Sequence, residues 1–303
     1  MTEQKYRARL SLGYFDTADE AKRARFEAES KLGATSPQEA RSATIAPDRV
    51  NDTPMPASRI SGGSVTFGAL GDSHLCSRYE RLDILDALYD AYADAGITDV
   101  YHTGNYIDGE AKFNFSDIYK HGMDEQLQYF ADKYPRRNGM TTHFIAGDDH
   151  EGWYQQRNAI DIGKHTEDIA RRSGRTDLHY LGYMESDVAL LGGLIKVRVL
   201  HAGGGSGAAI SLTSQRIVES YHEREKPHIL LVGHYHKSEY LPDYKGVHIL
   251  QTGTTQEQTP FMRKKRLAAH LGGWIVKVTV APDGGLRIGA EFLSFAHRAW
   301  VYR

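Results

Sequence analysis

Five short apolar runs in this chain each end in residue types that ligate metals. GDSH (71–74) follows VTFGAL, GNYID (104–108) follows TDVYHT, GDDHE (147–151) follows TTHFIA, His201 follows IKVRVL, and GHYH (233–236) follows HILLV. Imidazoles mixed with carboxylates suit first-row transition metals such as manganese, iron or zinc. Open α/β sheets gather their chemistry beyond the carboxyl ends of the strands, so five such tips predict one shared site. His234 and His236 alternate along an extended segment and therefore project to the same side. His102, His143, His179, His228, His248 and His270 lack such neighbours and read as packed or surface residues.

Each run has the length of a buried strand bounded by a turn signal. From Ser64 the pattern is strand, helix, strand: a helix near 78–95 carries Leu82, Leu85, Leu88 and Tyr92 at helical spacing and stops at Gly96. A helical stretch near 116–133 ends before Pro135. Such alternation predicts right-handed crossovers and a substantially parallel sheet. After about residue 178 the strands VALLG, IKVRVL, HILLVG, VHILQTG, WIVKVTV and LRIGAEFL mostly follow one another, with one helix near 211–223, and predict a second, more antiparallel sheet.

Residues 31–63 hold four of the nine prolines and show neither sheet nor helix periodicity, which reads as a linker. Upstream, residues 1–30 read as a short strand, a turn at Phe15-Asp16-Thr17 and a helix capped by Asp16 or Thr17. Residues 64–303 form the main domain, long enough for a large core. The formal net charge of −2 gives no global attraction to nucleic acid or anionic membrane, so phosphate binding must come from a local patch or from metal. One cysteine, Cys76, excludes an internal disulfide, and no apolar stretch reaches spanning length, which together predict a cytoplasmic protein.

The ordered set Asp-x-His, Gly-Asp-x-x-Asp, Gly-Asn-His-Asp/Glu, His, Gly-His-x-His is that of the calcineurin-like metallophosphoesterases, and residues 65–255 resemble it. The resemblance implies a four-layer α/β/β/α sandwich with mixed sheets. It also implies two divalent metal ions, manganese before iron, zinc or nickel, at the strand ends, where a pair of ions clamps a phosphoryl group while a bound hydroxide attacks in line. By position, Asp72, His74 and His236 resemble ligands of the first metal, and His201 and His234 ligands of the second. His150 matches the family's histidine that lies over the phosphate and protonates the leaving oxygen. Glu151 would hold that ring in the needed tautomer, and Asp108 would orient its loop.

Two positions depart from the family. Asn105 stands where a carboxylate bridges the metals, and Asp149 stands where an asparagine ligates. The exchange preserves summed ligand charge, so Asp149 is expected to supply the bridging or charge-balancing carboxylate. A one-residue insertion that makes Asp148 the matching residue, or an Asn105 that weakens one metal site, are the alternatives. The resemblance implies a phosphoesterase acting on a phosphodiester, nucleic acid (DNA or RNA) first and a phosphomonoester or cyclic nucleotide second. The reading from another class is a nucleic-acid-binding protein with a degenerate metal site.

Four further features bear on the substrate. The run Arg263 to Arg266 follows LQTGTT, which resembles the family's last active-site loop, and reads either as a solvated face or as a track for a phosphate backbone. Trp153 and Tyr154 read either as stacking platforms or as core, and Gly203 to Gly205 as phosphate-facing amides or a plain turn. Finally, YRARLSLGYFDTADEAKRA resembles the last strand and helix of apetala-type DNA-binding domains of plant regulators and phage homing endonucleases, which implies a nucleic-acid substrate and a phage or prophage setting.

Overall fold

Alternation of side chains across strands decides this architecture. A computed structural model describes residues 6–7, 14–15, 63–205, 209–281 and 283–297. The chain divides into a unit over Met1–Asn51 and a unit over Asp52–Arg303. In the first, β1 (Tyr6–Arg7) pairs antiparallel with β2 (Tyr14–Phe15). Phe15 is thus a strand residue rather than the start of the expected turn, and the expected helix and most of the expected linker lie outside the described residues.

The second unit holds two mixed sheets. One has the order β13-β12-β3-β4-β5-β6, in which β3 (Ser64–Leu70), β4 (Asp99–His102), β5 (Thr141–Ala146) and β6 (Leu178–Tyr183) are parallel. The hairpin of β12 (Gly272–Val280) and β13 (Leu286–Ser294) is added antiparallel beside β3. The other sheet has the order β10-β11-β9-β8-β7, with β8 (Ile195–His201), β9 (Ile229–Gly233) and β11 (Val247–Thr252) parallel. Its antiparallel edges are β7 (Glu185–Leu190) and β10 (Ser238–Tyr244).

Along β9, Ile229 and Leu231 enter the layer between the sheets, where they meet Phe67, Tyr101, Ile145, Val276 and Val278 of the first sheet. Their neighbours Leu230 and Val232 point the other way, against Val218 of α5 (Leu212–Ser220). The first sheet's outer face is covered by α1 (Leu82–Asp94), α2 (Met123–Lys133) and α4 (Ile162–Arg172), through Leu85, Leu88, Leu127, Phe130 and Ile169 among others. The result is the four-layer α/β/β/α sandwich expected, with central strands such as β9 buried along their whole length because both of their faces are covered.

Several expectations are corrected. The strands WIVKVTV and LRIGAEFL join the first sheet, not the second: Val276 and Val278 keep the alternation that marks a strand, but their pairing with Phe67 and Val65 spans some two hundred residues and leaves no local signal. The second sheet is more parallel than expected. The second helix begins at Met123 rather than near 116, because Gly122 precedes it at φ 91°, outside helical space. Helices α3 (Glu151–Asn158), α4 and α6 (Pro260–Lys265) were not foreseen, nor was β10, which tolerates Pro242 because it is an edge strand with an irregular register at Leu241/Tyr244.

Leu231 is fully buried between the sheets. Leu231→Ala is therefore expected to lower the unfolding free energy by about 2–5 kcal/mol, measured as a shift in urea midpoint at unchanged slope.

Candidate metal centre

The loops that follow β3, β4, β5, β8 and β9 converge at one end of the two sheets. They bring Asp72, His74 and His236 into one group and Asp149, His201 and His234 into another, each with ligand atoms within 4.8 Å of one another. A third overlapping group joins His74 to Asp108 and His150. Asn105 lines a pocket of about 400 Å³ with His74, Asp149, His150, His234 and His236.

The local backbone is unusual. Asp72, His74, Asn105, His150, His234 and His236 all have positive φ, between 45° and 83°, a conformation that costs a non-glycine residue of order 1–3 kcal/mol and persists only where surroundings enforce it. Here they do. Asp72 N–H donates to Gly104 O (3.0 Å) and His74 N–H to Asn105 O (2.9 Å), while the hydroxyl of Thr254 donates to Asp72 O (2.6 Å) and His234 N–H to Asp72 Oδ2 (2.8 Å). Gly104 and Gly147 flank the His201 ring: a Cβ on either would lie 2.7 Å from a ring atom, so no other residue fits at these two positions.

Hydrogen bonds fix the imidazole tautomers. His74 donates its Nδ1–H to Asp108 Oδ1 (2.9 Å), His201 its Nδ1–H to Thr103 O (2.8 Å), and His234 its Nε2–H to Gly204 O (2.8 Å). In each neutral ring the remaining nitrogen is then a bare lone pair. Those nitrogens face acceptors: His201 Nε2 lies 3.1 Å from Asp149 Oδ1, His234 Nδ1 lies 3.3 Å from Asp149 Oδ2, and His74 Nε2 lies 3.1 Å from His236 Nε2. Lone pair against lone pair is repulsive unless a proton or cation lies between. Asp72 Oδ1, Asn105 Oδ1 and His234 Nδ1 are buried without a hydrogen-bond partner, each a cost of about 1–3 kcal/mol that a cation would relieve. The donor set of imidazole nitrogens and carboxylate or amide oxygens therefore fits first-row metal ions.

The charges show how the crowded groups compensate. Burial pushes the Asp72 carboxyl up, and pushes His74 and His236 down, helped by neighbouring imidazoles. Burial also works against charging His201, but its bond to Asp149 and the charge of Asp72 outweigh that and raise it to about 9, so the gap between Nε2 and Asp149 draws in a positive charge, either a proton or a metal ion. His150 is raised to about 10, its desolvation overcome by Asp108 and Asp149. Asp149, despite desolvation, is held far below the usual carboxylate range by His201 and His234.

Asp149 sits with His201 and His234 only, on the side of the second group. Asp148 instead uses its carbonyl to accept from the side chain of Gln156. The expected role of Glu151 is corrected. Its Oε1 accepts from Asn105 N (2.9 Å) and Gly147 N (2.8 Å), tying the second and third loops together, whereas His150 Nδ1–H donates to Asp108 O (2.8 Å) and lies 3.2 Å from Asp108 Oδ1. Glu151 is completely buried at the start of α3 and points away from the ring it was expected to hold. Asp108 orients both His74 and His150, a larger role than its position suggested.

Other residues escaped the sequence reading. Thr103 O and Gly204 O set two tautomers through main-chain atoms, which carry no residue-type signal; Gly203 and Gly204 both act here through carbonyls, Gly203 O accepting from Tyr235 (3.1 Å). Tyr154 is core, while Trp153 packs on the His150 ring (centroids 4.7 Å apart). His102, buried, bonds Ser73 (2.8 Å), as befits a packed histidine.

No protein-family description matches the sequence, and no curated protein matches it. Among solved structures, the chain is similar to a conserved uncharacterized protein of Streptococcus pneumoniae TIGR4 described as a predicted phosphoesterase (13% identity, 77% of this chain and 98% of that one, TM-score 0.35). It is also similar to vacuolar protein sorting 29 from Cryptosporidium parvum (13% identity, 76% and 98%, TM-score 0.37). A third similar structure is GAP50, the anchor in the inner membrane complex of Plasmodium (12% identity, 79% and 87%, TM-score 0.42). Among the described residues no helix is long and apolar enough to cross a membrane.

Two measurements test this geometry. Burial raises Glu151 to about 7, above its unfolded value, so its ionisation costs stability progressively as pH rises from about 4.5 to 7. Glu151→Gln keeps an acceptor for both amides, and its stability relative to the parent is expected to rise from pH 5 to pH 8, whereas Glu151→Ala loses about 1–3 kcal/mol, both read by thermal unfolding. Manganese loading followed by elemental analysis is expected to give two ions per chain, and His201→Ala about one, on the ligand-count logic of such sites.

Proposed function

We propose that this chain is a metal-dependent phosphoesterase of the calcineurin-like type, acting on a phosphodiester, with nucleic acid as the favoured substrate. The observation that carries the reading is the pairing of lone-pair-bearing imidazoles with carboxylates in two adjacent groups over one pocket. Asp72, His74 and His236 would hold one divalent ion, and Asp149, His201 and His234 the other, with Asn105 Oδ1 available to either. Manganese is the favoured ion, with iron, zinc or nickel as the alternatives. Such ions supply Lewis-acid polarisation of the phosphoryl oxygens and neutralisation of charge in the transition state.

The chain's own residues do the rest. His150 lines the pocket with Nδ1 committed to Asp108, so Nε2 is its remaining proton-bearing position. Asp108 accepts from its ring and favours its protonated form. It can therefore donate from Nε2 to the departing oxygen, a proton transfer worth typically 10²–10⁴-fold. Trp153 packs against its ring and limits rotation. Glu151 and Thr254 keep the ligand loops in register. The N-terminal resemblance to apetala-type DNA-binding segments favours nucleic acid as substrate and a phage or prophage setting.

A second reading rests on Asn105, which puts an amide where a carboxylate is expected: the chain would bind nucleic acid through a degenerate metal site. Manganese-stimulated hydrolysis of bis-p-nitrophenyl phosphate is the deciding assay. The phosphoesterase reading expects turnover that His234→Ala abolishes and His150→Ala lowers by about 10²–10⁴-fold. No turnover with any divalent metal, together with activity gained in Asn105→Asp, would establish the binding reading instead.

A further inference from the structure

Two exposed phenylalanines overhang the candidate centre. Phe113 is 63% exposed and Phe261 51% exposed, their ring centroids lie 6.2 Å apart, and both line the pocket that contains His150 and His234. Phe113 also meets Trp153 edge-on at 5.2 Å, and Trp153 lies against His150, so an aromatic surface runs from the centre outward. Water contact at two such rings is unfavourable by the area they leave uncovered, and neither ring hangs on a loose segment. Next to Phe113, Asn114 is buried and donates to Asp108 O (3.0 Å), the residue that orients His74 and His150. Phe261 belongs to α6, capped by Thr259, which accepts from Met262 N (3.2 Å), and anchored by buried Met262.

Directly beyond Phe261 and Met262 come Arg263, Lys264, Lys265 and Arg266, all exposed. No carboxylate among the described residues forms an ion pair with any of the four. A chain of net charge −2 thus places four cations, without an ion-pair partner among the described residues, on and just after α6, whose Phe261 and Met262 line the pocket. Aromatic faces with an adjoining basic track are what an unpaired strand of nucleic acid requires: bases stack on the rings and phosphates follow the cations. A duplex hides its base faces and would leave the rings unused.

We propose that this wall selects single-stranded nucleic acid, Phe113 and Phe261 receiving a nucleobase next to the scissile phosphate and Arg263 to Arg266 following the backbone. The position of the scissile phosphate rests on the phosphoesterase reading; the binding of an unpaired strand does not. Fluorescence anisotropy on the full chain in chelator, without turnover, tests it with a labelled 12-mer of oligo(dT), the abasic 12-mer and a 12-bp duplex.

Oligo(dT) is expected to bind at least about tenfold tighter than the abasic strand and tighter than the duplex. Phe113→Ala/Phe261→Ala should erase the preference for bases, and Phe113→Trp/Phe261→Tyr should keep it. Replacing Arg263, Lys264, Lys265 and Arg266 by Ser should weaken both single strands alike and flatten the log–log salt slope by about 3. Oligo(U) in place of oligo(dT) distinguishes RNA from DNA as the strand preferred. Equal binding of bases and abasic sites, a preference that survives the double alanine variant, or a duplex bound as tightly as the single strand would overturn the proposal. A chain that hydrolyses no ester can still pass this test, and one that hydrolyses esters can still fail it.

Discussion

The structure depends on one electrostatic constraint: imidazoles and carboxylates that water would solvate are packed face to face at the end of a sandwich. Asp72, His74 and His201 are essentially inaccessible to solvent. Burying ionisable groups without compensation is costly. The chain meets part of that cost by committing one nitrogen of His74, His201 and His234 to an oxygen, which turns the other nitrogen of each toward a neighbouring ligand group. The same tips carry strained backbone: Asp72, Asn105 and His234 take positive φ within three residues of the ends of β3, β4 and β9.

Everything around the centre serves to hold that direction. The two sheets supply rigid strand ends through a layer of Val, Ile, Leu and aromatic residues between them. Glycines 104 and 147 allow His201 to slot between two loops, and the buried carboxylate of Glu151 ties those loops by accepting from both backbones. Asp108 completes the arrangement from the other side by holding His74 and His150 together. Support of this kind sets the basicity of a ligand as well as its position.

Much of this was legible in the residues. The strand tips at Asp72, Asn105, Asp149, His201 and His234 could be read because apolar runs of strand length end there, and their convergence follows from a parallel sheet. Which sheet WIVKVTV joins could not be read, since alternation fixes faces but not partners. Nor could the true partner of Glu151: adjacency to His150 suggested contact, yet a helix begins between them and sends the two side chains apart. Main-chain acceptors such as Thr103 O and Gly204 O are invisible to any reading of residue types. Phe113 and Phe261 sit in segments without periodicity, AKFNFSD and TPFMRKK, where a lone aromatic has no pattern to stand out from.

The order of the ligands along the polypeptide carries a consequence for biogenesis. Neither cluster closes early: one needs His236 to join Asp72 and His74, the other needs His234 to join Asp149 and His201. During synthesis each has two of its three side chains until the loop after β9 is made and β9 has docked beside β8. Were these groups to hold cations, capture would wait on that docking, a contact between residues far apart in the chain.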